Sequence, residues 1–346
     1  MPAPAITIAI PIYNAEAYIE RSLLSALNQD FASTYEVLVV DDCCIDDSML
    51  TVRRIAEKHP RGSIVRTVKH EENRGLGAAR NTAIDEAKGH YLLFLDADDW
   101  LTTDCLSHLY ALAQQEQADV TAGSTDQVEQ EETSLLYRLD NKVIRHEAAG
   151  VWMAAHDTFM NIEVWNKLFR LDFLRQHRIC TTHRIMEDSV FDFNVRALAQ
   201  TIVLTSHTTL FYRIHEDSIL GKLFGHEATD EAVGIYCDII RQVQQLINQR
   251  YHDIDGIYDL YSLRLFYTFH SLRRMRLTPK QEDYVKSALR GFLDFIPSIR
   301  SLHQGAFRMS YLSCLLHRKD WRAFEKAYDN RFSRKAYYLK RLLAWL

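Results

Sequence analysis

No apolar run in this sequence approaches the roughly 18 residues needed to span a bilayer, so a membrane-crossing helix is not expected. The opening MPAPAITIAIPIYN lacks a basic stretch followed by an apolar core of signal length, which gives no reason to expect secretion. The six cysteines, Cys43, Cys44, Cys105, Cys180, Cys237 and Cys314, form no CxxC pair and no zinc spacing. The adjacent Cys43 and Cys44 are poorly placed to bridge one another. These absences point together to a reducing, cytosolic setting. Internal repeats and low-complexity linkers are missing too. A complete GxGxxG is absent, and GLGAA falls short of it, so an ordinary dinucleotide site is weakly supported.

An excess of either charge is small overall, and a net −5 gives no general attraction to nucleic acid. The balance is uneven, because residues 300–346 carry eleven basic against three acidic side chains. That asymmetry suggests an anionic surface or partner for the C-terminal end. What the chain does have is core material, with 47% hydrophobic and 11% aromatic residues in 346 positions. This suffices for one large domain or two modest ones and argues against wholesale disorder.

The first third alternates short apolar runs with helical periodicity. Strands are expected at 6–10, 35–40, 64–69 and 91–95, and helices at 16–28, 48–58, 76–87 and 103–116. This β-α-β-α-β-α-β order predicts an α/β fold with a mainly parallel sheet between helices. A further strand begins near 119, and the polar 126–147 stretch reads as a loop or hairpin. Helices are then expected at 165–176 and 189–199, with a β-rich run at 201–212. Beyond about residue 221 the periodicity turns helical, at 227–250, 257–275, 279–295 and 306–317. The expected division is a nucleotide-binding and catalytic domain at 1–220 and a helical extension at 221–346.

The most informative stretch is YLLFLDADDW, residues 91–100. A strand buried on both faces ends in Asp96, Asp98 and Asp99, at the sheet edge where open α/β folds place ligands. Crowded carboxylates repel unless a cation or donors compensate them, and an oxygen-only cluster suits Mg²⁺ or Mn²⁺. A solvated acidic turn is the plainer alternative. Three other strand ends are also polar: IPIYN at 10–14, VVDD at 39–42 and ENRGLGAARN at 72–81. Asp41 or Asp42 can accept from a base or ribose hydroxyl, Gly75 and Gly77 permit close backbone approach, and Arg80 supplies a fixed cation. Asp42 as a helix cap and Gly75 as a strand stop are the competing readings.

Taken in order, IPIYN, VVDDCCID, NRGLGAARN and LLFLDADDW resemble the family 2 glycosyltransferases, inverting enzymes of the GT-A fold. The resemblance covers about residues 5–125 and extends loosely to 220. It implies nucleotide contacts at Pro11, Tyr13 and Asn14 with Glu16 beyond, a base grip at Asp42 beside Asp41, and a pocket lined by Asn73, Gly75 and Arg80. It makes Asp96-Ala97-Asp98 the DxD motif, with Asp96 at the ribose and metal shell and Asp98 holding a divalent Mn²⁺ or Mg²⁺. RIMEDSVFDFNV supplies Asp188 as general base with Glu187 beside it. VWNKLF places Trp165, Asn166 and Lys167 towards the acceptor, and FYRIHEDSIL offers His215 as a metal ligand and Arg213 as a diphosphate contact.

The implied reaction moves a sugar from a nucleotide-sugar donor, UDP-linked by family habit, to a hydroxyl of a glycan or lipid-linked acceptor in envelope or exopolysaccharide assembly. A non-catalytic nucleotide-sugar binder or scaffold of the same fold is the alternative. A phosphatase of the haloacid-dehalogenase type fits poorly, since three strands precede the acidic motif. One departure stands out: the family writes Gly-Ser where this chain has Cys43-Cys44, and losing Gly removes easy access to φ > 0. The segment 331–346 mixes Arg and Lys with Tyr, Leu and Trp at helical spacing, which suits peripheral contact with an anionic membrane, packing on the body, or pairing with another subunit.

Overall fold

The computed structural model describes residues 3–145, 163–181, 187–215, 229–254, 257, 277–281, 283–285 and 287. The chain divides into two compact units, residues 1–149 with 156–215, and residues 150–155 with 216–346. In the first unit, strands β1 (Ile6–Ile12), β2 (Tyr35–Asp41), β3 (Val65–Lys69) and β4 (Tyr91–Phe94) alternate with helices α1 (Ile19–Leu27), α2 (Ser48–Lys58) and α3 (Leu76–Glu86). Strands β1, β2 and β4 are buried throughout, which is why their sequences show unbroken apolar runs rather than alternation. They lie parallel in the order β3-β2-β1-β4, with Ile8 opposite Val37 on one side and Leu93 on the other. The carboxyl ends of all four therefore emerge on one edge, and that edge carries the motifs.

Beyond β4 the sheet becomes mixed. β5 (Trp100–Leu101) and α4 (Cys105–Glu116) lead to β6 (Val120–Glu129), a hairpin partner β7 (Glu132–Tyr137), and β8 (Lys142–Arg145). β9 (Lys167–Arg170) then runs antiparallel between β4 and β6, and β10 (Thr201–Arg213) lies parallel to β6 and antiparallel to β5 and β8. The described part of the polar stretch, 126–145, is thus the end of β6, its hairpin partner β7 and the short strand β8, with the hairpin one of the two forms expected.

A helix over 165–176 was the expectation, and the structure corrects it. Residues 167–170 form β9, and only α5 (Leu171–Gln176) is helical. The reason is Asn166, whose φ of 58° breaks any helical run. Its buried amide donates to Gly123 O, Ser124 O and Thr125 Oγ1 at 2.7–3.0 Å and accepts from Thr209 Oγ1 at 2.5 Å. Asn166 thereby stitches β6 and β10 to the start of β9. Asn166→Ala removes four hydrogen bonds at a left-handed position and is expected to cost about 3 kcal/mol, read as a lower urea midpoint.

Helix α6 (Asp188–Leu198) follows, with Val190, Phe191, Phe193 and Val195 buried. In the second unit α7 (Asp230–Leu246) starts at Thr229, whose hydroxyl accepts from Ala232 N at 3.1 Å, with Asp230 and Glu231 in the first turn. It continues into one π-helical turn over Ile247–Tyr251. The expected helices at 306–317 and 331–346, all but one residue of that at 257–275, and the larger part of that at 279–295 lie outside the described residues. Among the described residues no helix is long and apolar enough to cross a membrane.

Candidate active site

The ends of β1, β2 and β3 are tied together by their own motif residues. Asp42 is buried, and its carboxylate accepts from Arg74 N at 2.8 Å and Gly75 N at 2.7 Å while facing His70 Nδ1 at 2.7 Å. His70 Nε2 in turn meets Thr82 on α3 at 2.8 Å. Asp42 therefore fixes the entry to α3, where Gly75 takes φ = 89°, a conformation glycine reaches without a steric cost. Asp41 accepts from Cys44 N at 2.8 Å, and Asn73 Nδ2 donates to Asp42 O at 3.4 Å.

The turn after β2 is held from β1. Asn14, at φ = 49°, accepts from Ile45 N, and Glu16 accepts from Asp47 N while its own N donates to Asp46. Pro11 is buried in β1, and Tyr13 projects at 48% exposure beside this turn, open to stack on a flat ligand. Cys43 adopts φ = 65° without being glycine. The position where the family has glycine thus takes a left-handed conformation in this chain too, with strain of about 1 kcal/mol. Burial pushes the Cys44 thiol up to about 12, so it stands as a thiol donating to Ile12 O.

The acidic turn after β4 splits into three roles. Asp98 Oδ2 faces His215 Nε2 at 2.9 Å, and His215 Nδ1 meets Tyr18 OH at 3.1 Å. Asp99 is buried and accepts from Arg213 N at 2.9 Å. Burial and the flanking Asp98 and Asp96 carboxylates hold it well above the usual carboxylate range. Arg213 Nε donates to Asp98 O at 3.1 Å, and its guanidinium lies over the faces of Tyr18 and Trp100.

Asp96 faces the other way, taking Arg80 Nη2 on both oxygens at 2.8 and 3.2 Å. Arg80 Nη1 reaches across to Glu187 and to Asp188, the latter at 2.5 Å. One guanidinium thus joins the end of β4 to the start of α6. The Glu187 side chain is 3% exposed and that of Asp188 20%, so Asp188 is the carboxylate open to a substrate.

This arrangement can do two things chemically. The half-buried Asp188 carboxylate can take a proton, and the Asp98 and His215 pair has the donor types suited to a hard or borderline cation. A model of the glycosyl transferase family 2 type, "Glycosyl transferase family 2", matches residues 7–186. The chain belongs to this family.

The likeness extends to individual family members. This family 2 chain is 27% identical over 230 residues to the putative glycosyltransferase EpsH of Bacillus subtilis, covering 64% of each chain. It is 29% identical over 216 residues to a poly(ribitol-phosphate) beta-glucosyltransferase of Bacillus spizizenii, covering 61% of this chain and 32% of that one. The chain thus spans less than two thirds of the length of either relative. The crystal structure of S. aureus TarS 1-349 superposes with a TM-score of 0.65 at 18% identity, over 95% of this chain and 91% of that one. At that identity the likeness speaks for the fold, which is GT-A.

Against this fold, the family 2 chain's acceptor-side residues take up internal positions. Trp165 is buried and stacks on Tyr212 at 5.6 Å and Tyr137 at 6.3 Å. Lys167 is buried, donates to Glu163 O, and is pushed down to about 8 by desolvation. Asn166, just before β9, and Lys167, its first residue, are thus both buried with polar atoms engaged inside the fold.

Sequence reading missed two participants, Tyr18, which orients His215, and His70, which braces Asp42; Asp99 was read in the acidic cluster, and the structure sets it under the Arg213 backbone. A polar residue closing the third strand was the available signal for His70. Nothing local marks Tyr18, whose partner lies 197 positions away.

Glu187 provides a pH test. Burial, and then the neighbouring Asp188 carboxylate, push it up to about 8. A carboxyl with a raised folded value contributes stability that is fully present at low pH and lost as pH rises. The denaturant midpoint of the protein is expected to fall between about pH 5 and pH 8, and Glu187→Gln is expected to flatten that slope.

Proposed function

We propose that this chain is a metal-dependent inverting glycosyltransferase that moves a sugar from a nucleotide-sugar, UDP-linked, to a hydroxyl of a glycan or lipid-linked acceptor in cell-envelope or exopolysaccharide assembly. The observation carrying this reading is that Asp188 and the DxD aspartate Asp96 share the Arg80 guanidinium, so a candidate base stands beside the donor motif. Support for the donor comes from S. aureus TarS, whose fold is similar and which was crystallised in complex with UDP-GlcNAc. Relatives acting on poly(ribitol-phosphate) support an envelope polymer as acceptor.

Asp188 takes the acceptor hydroxyl proton. The freed oxygen attacks the anomeric carbon, and the bond to the diphosphate breaks with its electron pair leaving on phosphate oxygen. Inversion follows from this single displacement. The nucleotide is held by the edge built from Pro11, Tyr13, Asn14, Glu16, Asp41, Asp42, Asn73 and Gly75, with Arg213 turned to the diphosphate.

The donor set fits a divalent ion. Asp98 and His215 already face one another at 2.9 Å, and Tyr18 fixes the imidazole from behind. Among the described residues no group of three such side chains is arranged to hold a metal, so an ion held by Asp98 and His215 would need oxygen ligands from the bound diphosphate or water as well. Asp96, committed to Arg80, is not a ligand in this arrangement. The ion, when bound, neutralises charge on the leaving diphosphate. A Mn²⁺ and GDP-Man complex of a Pyrobaculum calidifontis mannosyltransferase with a TM-score of 0.52 supports this chemistry on the fold.

The proposed division of labour keeps donor binding and catalysis in 1–220, with 221–346 as a helical extension. Its last segment, 331–346, lies outside the described residues and is proposed for peripheral contact at the cytoplasmic membrane face. Calorimetric titration of UDP, GDP and TDP with and without Mn²⁺ tests the core of the reading. Metal-dependent binding of one nucleotide supports it, and no binding under either condition rejects it.

A further inference from the structure

We propose that Arg80 is a positioning residue that sets the general base, and not a contact to the nucleotide. The inference rests on the glycosyltransferase reading above and departs from the role the motif resemblance implies for this arginine. Arg80 sits one turn into α3, and only 1% of its side chain is exposed. Both terminal nitrogens are spent: Nη1 on Glu187 and Asp188, Nη2 on the two oxygens of Asp96. Its remaining donor, Nε, is buried without a partner. A ligand approaching the open edge therefore finds no accessible Arg80 donor, while three carboxylates from two distant segments find one planar fork.

The geometry explains why an arginine stands here. Asp96 and the Glu187-Asp188 pair would repel one another if brought together without a cation. A guanidinium spans both sides through separate nitrogens and fixes their orientation, whereas an ammonium is a point charge that serves one side. Asp188 opens α6, so the contact also sets where that helix begins relative to the end of β4. Arg80 acts on the reaction only through Asp188, by holding it towards the donor motif.

The test compares the full-length protein with Arg80→Lys and Arg80→Ala in three measurements. Hydrogen exchange over 187–198 is expected to quicken by about tenfold in Arg80→Lys, with β1 and β2 unchanged. UDP affinity by calorimetry with Mn²⁺ is expected to stay within about threefold. Turnover is expected to fall about 100-fold at nearly constant donor KM, and guanidinium salt to restore part of it in Arg80→Ala. A loss of UDP affinity of about tenfold or more with unaltered exchange at 187–198 would overturn the proposal in favour of a nucleotide contact. Faster exchange spread over β1, β2 and α6 alike would overturn it in favour of a general packing role. Should the wild-type protein show no sugar transfer at all, the enzyme reading fails on that arm, and the exchange arm still decides what Arg80 holds.

Discussion

Asp188→Asn is expected to lower turnover by about 10³-fold while leaving UDP affinity within about twofold. The substitution keeps the shape of the side chain and one oxygen for Arg80 Nη1, so the start of α6 should hold. What it removes is the basic oxygen that receives the acceptor proton. Glu187 cannot stand in, because it is buried and faces Arg80. The two carboxylates also differ in the way a working pair should: burial and its neighbour push Glu187 up to about 8, while Asp188 keeps the more exposed place. Single-turnover assays with the identified donor, beside calorimetry on the same preparation, give both numbers. Full activity in Asp188→Asn would show that Asp188 is not the general base. Lost activity together with lost UDP binding would mean that the residue supports the fold or the donor site instead.

How much of this was legible in the sequence depends on where each residue's partner lies. The four strand ends were readable because parallel strands buried on both faces appear as unbroken apolar runs, and their polar stops necessarily share an edge. IPIYN, VVDD, ENRG and DADD accordingly meet where expected. Secondary structure failed at 165–170, where Leu168 and Phe169 satisfy a short helical pattern as well as a short strand. The arbiter was Asn166 at φ = 58°, a conformation no periodicity reports.

At Cys43-Cys44 the sequence offered no glycine for a left-handed turn, yet Cys43 adopts one, held by Ile45 N donating to Asn14 and Cys44 N donating to Asp41. Arg80 was expected to line the nucleotide pocket, and in the structure its guanidinium is engaged by Asp96, Glu187 and Asp188. Its motif lies beside the nucleotide segment in sequence, but its side chain turns to Glu187 and Asp188, 107 and 108 positions away. Local motifs carry the positions of backbone edges well and the aim of long side chains poorly, since a guanidinium finds its carboxylates only after the sheet has brought them together.

Asp98→Asn is expected to abolish the Mn²⁺-dependent part of UDP binding, a loss of about 100-fold in affinity, and to reduce turnover by a similar or larger factor. The argument starts from division of labour among three neighbouring carboxylates. Asp96 is taken by Arg80, and Asp99 is buried under the Arg213 backbone and held well above the usual carboxylate range. Asp98 alone has an oxygen directed at an imidazole, and that imidazole is braced by Tyr18. An amide is a weaker ligand for a hard cation and cannot offset its charge, so the diphosphate loses its bridge while the base-binding edge remains. Affinity measured without metal should therefore be nearly the same in wild type and variant, and the two should diverge as Mn²⁺ is added. Asp96→Asn supplies the contrast, because it disturbs Arg80 and Asp188: turnover is expected to fall while the metal-dependent increment in UDP binding persists. If Asp96→Asn instead erased that increment and Asp98→Asn left it intact, the cation would sit on the Arg80 side of the motif, and the pairing of Asp98 with His215 would be an internal ion pair.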